Sequence, residues 1–217
     1  MATSTTYIPA LKYNWLTKFY DFLIQAFLKE KSWKTYLIES FSNKSPQSIL
    51  DIGTGTATLS IMVKQAYPQA NIAGLDGDDK ILVIAKSKVL QQGLNIDLIR
   101  GMSYELPFPD NHFDVVTSSL MIHHLSDEDK VRTFEEVFRV LKPGGEFCIA
   151  DWGKPDAKSS RLLFYWVQFL DGFKTTSSNV KGLLPKFLSA SGFAIVNELK
   201  KYKTIGGSIS IYKARKV

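Results

Sequence analysis

One cysteine in 217 residues, Cys148, leaves no partner for an internal disulfide and no multi-cysteine metal site. Nothing in the composition calls for zinc, iron or an oxidising compartment, and no metal is expected. No run approaches the roughly 18 to 20 uninterrupted apolar residues that a membrane-spanning helix needs. Residues 1–9 lack the basic start and apolar stretch of a secretion signal, so a cytoplasmic location is expected. Repeats and low-complexity tracts are also missing. What remains, 45% hydrophobic and 22% charged side chains, suits one full core, hence a single domain with elaborations.

The net charge of +6 is unevenly spread. Residues 1–47 carry six basic and three acidic side chains, residues 48–152 carry nine against fifteen, and residues 153–217 carry twelve against three. An acidic middle suits a cationic or neutral ligand. The basic tail suits an anionic partner, either an acidic substrate or a lipid surface, or else is only a solvated face. Nucleic acid is not expected, because no reader motif is present.

From residue 48 onward short apolar runs alternate with helical patterns, the signature of a parallel sheet wrapped by helices. Strands are predicted at 48–52, 71–76, 96–100, 113–119 and 146–151. Helices are predicted at 57–67, 78–92 and 127–141, the last capped by Ser126 and ended by Pro143-Gly144-Gly145. Two alternating segments, 193–202 and 208–214, joined at Gly206-Gly207, read as a closing antiparallel hairpin. Residues 11–41 and 161–173 are helical in pattern and rich in aromatics, Tyr20 among them, so they either pack on the sheet or form a lid over an apolar pocket.

Two motifs carry chemistry. The run Ser48-Ile49-Leu50-Asp51-Ile52-Gly53-Thr54-Gly55-Thr56-Ala57 is an apolar strand that ends in an acid and opens through glycines into a helix. In an open α/β sheet this turn lies where nucleotides bind, and its glycines let a ligand touch backbone. A purely structural turn accounts for the glycines but not for Asp51. The second is Asp76, within Gly74-Leu75-Asp76-Gly77 at the end of the next strand, where a carboxylate accepts ribose hydroxyls.

With these motifs in place the chain resembles class I S-adenosylmethionine-dependent methyltransferases, in particular the ubiquinone/menaquinone-biosynthesis type that acts on small molecules. Further blocks carry the resemblance along most of the chain: Glu105-Leu106-Pro107-Phe108-Pro109-Asp110-Asn111-His112-Phe113-Asp114-Val115-Val116, then His123-His124-Leu125, then Val140-Leu141-Lys142-Pro143-Gly144-Gly145. It implies a Rossmann-like, doubly wound, seven-stranded α/β sheet, mostly parallel with an antiparallel C-terminal hairpin. It also implies one domain divided into an N-terminal helical lid (1–47), a cofactor-binding core (48–152), a helical substrate lid (153–190) and the hairpin (191–217).

The implied cofactor is S-adenosylmethionine. Gly53, Thr54 and Gly55 would let it approach backbone, Asp51 would sit near its ammonium, and Asp76 with Gly77 would hold the ribose. Ser119 and Leu120 would offer backbone groups to the methionine part. The sequence departs from the pattern at two places. Ala57 stands where relatives often have a third glycine, a change that a helix start should tolerate. Met102, in Gly101-Met102-Ser103, stands where relatives commonly place an aspartate; its thioether can still pack on adenine while the backbone of Ser103 serves a ring nitrogen.

Methyl transfer from a sulfonium needs alignment above all. Where a base helps, His123 is the candidate, with Tyr20, His124 and Trp152 as candidate substrate contacts and Asp151 beside them. The lone cysteine argues against the arsenic-methylating branch, and the lack of an Asn-Pro-Pro-aromatic run argues against methylation of base amino groups. The expected acceptor is small and apolar or lipid-like, for quinol-type C-methylation or O/N-methylation. An anionic membrane surface is a candidate partner, met by Lys12, Lys18, Lys29, Lys31 and Lys34. Two alternatives stay open: a non-catalytic S-adenosylmethionine-binding protein, and a nicotinamide-dependent oxidoreductase. The latter accounts for Gly53, Gly55 and Asp76 but not for Asp51 or the hairpin. Oligomeric state is not legible.

Overall fold

In a computed structural model, which describes residues 30–155, 164–165, 168–169, 172–204 and 207–217, the alternating patterns become one seven-stranded sheet. Its strands are β1 (Ser48–Ile52), β2 (Asn71–Asp76), β3 (Asp97–Arg100), β4 (Phe113–Ser119), β5 (Leu141–Trp152), β6 (Ile195–Thr204) and β7 (Gly207–Arg215). They lie in the order β3-β2-β1-β4-β5-β7-β6. The first five are parallel, and β7 enters antiparallel between β5 and β6. Strand order reverses between β1 and β4, and in an open α/β sheet ligands bind at the carboxyl ends beside such a switch point, where the glycine turn follows β1.

The helices are α1 (Glu30–Glu39), α2 (Thr58–Ala66), α3 (Asp79–Gln91), α4 (Asp127–Val140), α5 (Phe173–Val180) and α6 (Leu184–Ala190). Ser126 caps α4 by accepting from the Asp129 amide at 3.1 Å, and three acids fill its first turn, against the positive end of the helix dipole. Strand alternation sorts the core into two layers. Ile49, Val115, Cys148 and Ile211 meet residues of α1, α2 and α3 on one face; Leu50, Val116, Phe147 and Ile149 meet α4 and α6 on the other.

Three expectations change. Strand β5 begins at Leu141 rather than at residue 146, because Leu141 pairs with Phe113 before the chain bulges through Lys142 to Gly145 and resumes with Glu146 opposite Val115. Pro143-Gly144-Gly145 therefore shapes a bulge, and α4 has already ended at Val140. The second change concerns the lid assigned to 1–47. Its described helix, α1, is a core layer, with Trp33, Leu37 and Phe41 just after it fully buried against β1, β4 and β5. Third, Lys34 is not free to meet a membrane: it is buried and ion-paired with Glu30 one turn back. Tyr20, Lys12, Lys18 and Lys29 lie outside the described residues, as does most of 161–173.

Cys148 is fully buried in β5, and burial pushes its thiol up to about 12. Native protein at pH 8 should therefore leave a thiol reagent unreacted until denaturant is added, with one equivalent released on unfolding. Fast titration of the native thiol would mean that β5 is not in the core.

Candidate active site

Asp51, the next-to-last residue of β1, is buried, only 1% exposed. A carboxylate there needs donors, and the next nine residues supply two: Thr54 Oγ1 donates at 3.1 Å and Ser60 Oγ at 2.6 Å, both to Oδ2. Thr117 Oγ1, from β4, donates to Oδ1 at 2.9 Å. Burial raises the Asp51 pKa, opposed by the hydroxyls of Ser60 and Thr117, by the charge of Lys34 and by Thr54. Asp51 is the floor on which the glycine turn is built, and its carboxyl group lies beneath that turn.

The turn is then stitched to β2. Gly53 and Thr54 both donate their amides to the Leu75 carbonyl, at 2.7 and 3.0 Å, and the Gly55 amide donates to Asp76 Oδ2 at 2.9 Å. Asp76 Oδ1 accepts from the Asp78 amide at 3.0 Å. Desolvation raises the Asp76 pKa, against the amides of Asp78, Gly55 and Gly77. Gly53, Gly55 and Ala57 all take left-handed backbone, with φ of 66, 54 and 60°. Ala57 therefore sits in a conformation better suited to glycine, so its replacement of the third glycine is a strained exchange rather than an easy one.

Gly101 donates its amide to the Asp76 carbonyl at 3.0 Å, which brings Met102 and Ser103 to the same end of the sheet. Met102 bridges to Glu105, and the Ser103 hydroxyl is 2.9 Å from that of Thr133 on α4. Leu120, just past β4, has φ 51° and donates its amide to the Ala150 carbonyl at 2.8 Å. That amide is committed, so the contribution expected of Leu120 narrows to its carbonyl. The kink brings Met121 directly over the turn: a Cβ on Gly53 would lie 2.2 Å from Met121 Cγ, whereas one on Gly55 meets nothing within 4 Å. The open cradle at Gly55, the acid at Asp76 and the buried carboxyl group of Asp51 fit a cationic ligand that carries a ribose.

A second buried carboxylate lies two strands away. The 3-10 turn Ile122–His124 folds His123 inward, 2% exposed, with Nδ1 2.7 Å from Asp151 Oδ1 at the end of β5. The same oxygen accepts the Trp152 amide at 2.7 Å and Asn179 Nδ2 at 3.3 Å, and Oδ2 accepts the His123 amide at 3.4 Å. A carboxylate so placed fixes the orientation of the imidazole. The His124 ring is 4.0 Å from that of His123. Asp151, expected on the substrate side, is wholly buried and orients the histidine instead. Trp152 is likewise a core residue, 5% exposed and edge-on to Phe164 at 5.3 Å.

Sequence reasoning missed the hydroxyls of Ser60 and Thr117, Met121 and Asn179. Ser60, one turn into the helix after the glycines, was the one legible signal; the others depend on which strands are neighbours. Among the described residues no cluster of three metal-ligating side chains occurs.

Comparison with known proteins agrees with this geometry. Residues 49–145 match a methyltransferase domain family. The demethylmenaquinone methyltransferase of Thermus thermophilus is 33% identical over 152 residues, which cover 69% of this chain and 68% of that protein. The ubiquinone/menaquinone biosynthesis C-methyltransferase UbiE of Vibrio parahaemolyticus is 28% identical, with 83% of this chain aligned to 64% of that protein. Against the curated relatives it matches, the chain thus spans roughly two thirds of their length or less. In fold it is similar to a SAM-dependent methyltransferase from Aquifex aeolicus, with TM-score 0.63, 20% identity, and 90% and 93% of the two chains covered.

The two glycines should respond differently to alanine. Gly55→Ala bears only the left-handed backbone, about 1 to 2 kcal/mol. Gly53→Ala adds the overlap with Met121 and should lose about 3 kcal/mol or more in urea unfolding. Equal losses would contradict the packing of Met121 on the turn.

Proposed function

This chain belongs to the class I S-adenosylmethionine-dependent methyltransferases of the ubiquinone/menaquinone-biosynthesis type, and on that premise we propose that it methylates a ring carbon of a reduced quinone-type acceptor, with His123 as general base. When bound, S-adenosylmethionine supplies an electrophilic methyl group. Gly53, Thr54 and Gly55 would receive it along the backbone, Asp76 and Gly77 would hold its ribose, and Met102 with the backbone of Ser103 would meet adenine. Asp51 would favour its positive charge from beneath the turn, and Ser119 and the Leu120 carbonyl would face its methionine part.

The observation that carries the proposal is the 2.7 Å bond between His123 Nδ1 and Asp151 in a water-poor setting. It orients the ring that would take the acceptor's proton, and Asp151 offsets the charge that then forms on it. A quinol needs this: as the new carbon–carbon bond forms, a proton must leave the hydroxyl or the ring carbon. The pairing speaks against a merely cofactor-binding protein, which has no use for an oriented base. His124 is the adjacent candidate for contact with the acceptor.

An apolar acceptor of this kind resides in membranes, and we assign its delivery to the face around Phe173. Tyr165, Phe169 and Phe173 are exposed there, the rings of Tyr165 and Phe173 being 6.4 Å apart, and Lys174 is exposed beside them. Among the described residues no helix is long and apolar enough to cross a membrane, so contact would be peripheral.

Two experiments test these readings. With short-chain reduced demethylmenaquinone as acceptor, His123→Gln should lower turnover by about a hundredfold or more while S-adenosylhomocysteine binds within twofold of wild type; full turnover would remove His123 from the mechanism. Sedimentation with phosphatidylglycerol vesicles should pull down the protein, and Phe169→Glu with Phe173→Glu should release it. Equal recovery with neutral vesicles and with both variants would contradict the docking face.

A further inference from the structure

We infer that Lys130 is a positioning residue for the His123–Asp151 pair, acting through α5. The inference rests on the reading of His123 as the base.

Lys130 sits in the first turns of α4 among Asp127, Glu128 and Asp129, a setting that reads as a solvated helix start. Its side chain is instead fully buried. A buried ammonium needs acceptors on every side. Nζ donates to the Thr175 carbonyl at 2.6 Å, to Ser178 Oγ at 2.7 Å and to Asp127 Oδ1 at 3.3 Å. Two of the three belong to α5. Burial lowers the Lys130 pKa, while Asp127 and the nearby charge of Asp151 oppose that shift.

Helix α5 is short and polar. It has eight residues, too few to stand alone, and starts after Gly172 with no side-chain cap. Its buried side chains are Thr176, Ser178, Asn179 and Val180, three of them polar, so apolar burial contributes little. Among the described residues, hydrogen bonds tie it to the rest of the protein: those of Lys130, Gln168 Nε2 to Thr176 Oγ1 at 3.0 Å, and Asn179 Nδ2 to Asp151 at 3.3 Å and to the Trp152 carbonyl at 3.1 Å. Of these bonds, those of Asn179 reach the catalytic pair, at Asp151. Lys130 thus fixes the helix that carries Asn179 onto Asp151, and Asp151 fixes the orientation of the His123 ring. The arrangement joins α4, whose Thr133 meets Ser103 in the cofactor half, to the acceptor half of the site.

The test compares wild type, Lys130→Met and Lys130→Arg in the full chain. In Lys130→Met, amide hydrogen exchange across 173–180 should speed up by about tenfold or more. The downfield Nδ1 proton of His123, followed by 15N-histidine NMR, should weaken or vanish. Turnover of short-chain reduced demethylmenaquinone should fall roughly ten- to a hundredfold, with S-adenosylhomocysteine binding within twofold of wild type. Lys130→Arg should restore most of each. Unchanged exchange and an unchanged His123 signal in Lys130→Met would overturn the inference, as would a loss of S-adenosylhomocysteine binding in parallel with turnover, which marks a general structural role. Should Lys130→Met not fold, Ser178→Ala removes one contact, and unchanged exchange in that variant overturns the inference equally. If wild type fails to methylate the quinol, the functional reading fails, while exchange and NMR still decide the role of Lys130.

Discussion

Burying a carboxylate costs several kcal/mol unless donors surround it, and this molecule does so twice at the carboxyl ends of its central strands. Asp51 is satisfied by three hydroxyls and Asp151 by the His123 ring, two backbone amides and Asn179. Each set fixes what lies above it. Around Asp51 the donors come from the glycine turn, the first turn of α2 and β4, so the turn cannot move without exposing an unpaired acid. Around Asp151 they come from the 3-10 turn, β5 itself and α5, so the histidine is oriented by the same requirement. With β4 between them, the two acids would, under the proposed function, mark a cofactor half and an acceptor half of the site.

The two halves differ in how they are held. The cofactor half rests on strand ends and on helices with apolar faces, where hydrophobic burial supplies rigidity. The acceptor half depends on short, polar elements, a 3-10 turn of three residues and a helix of eight. That division suits a protein whose cofactor is constant and whose acceptor must enter and leave, since weakly packed elements open at low free energy. The exposed aromatics Tyr165, Phe169 and Phe173 lie on or near α5 in the sequence, where the proposed apolar acceptor would arrive.

How much could be read in advance follows the range of the interactions. The order of strands and helices, the antiparallel ending and the glycine turn with Asp51 and Asp76 were legible, because each depends on periodicity or on neighbours within a few residues. Ser126 as the cap of α4 was legible for the same reason. The early start of β5 was not, since a bulge shows only when Leu141 is found opposite Phe113. Nor was the burial of Lys34 and Lys130: a lysine among acids reads as surface until the facing element is known. Trp152 and Asp151 stand at the expected strand end, but their burial, one in the core and the other against the His123 ring, carried no local signal. Asn179, 28 residues from Asp151, carried no local signal at all.

The most direct test of the whole account is where a methyl group goes. Protein given S-adenosylmethionine with a deuterated methyl and short-chain reduced demethylmenaquinone should yield product carrying the label on a ring carbon, with one ring proton lost, as read by mass spectrometry and proton NMR. Label on an oxygen, or tight S-adenosylhomocysteine binding with no labelled product, would contradict the assignment of His123 and Asp151 to C-methylation.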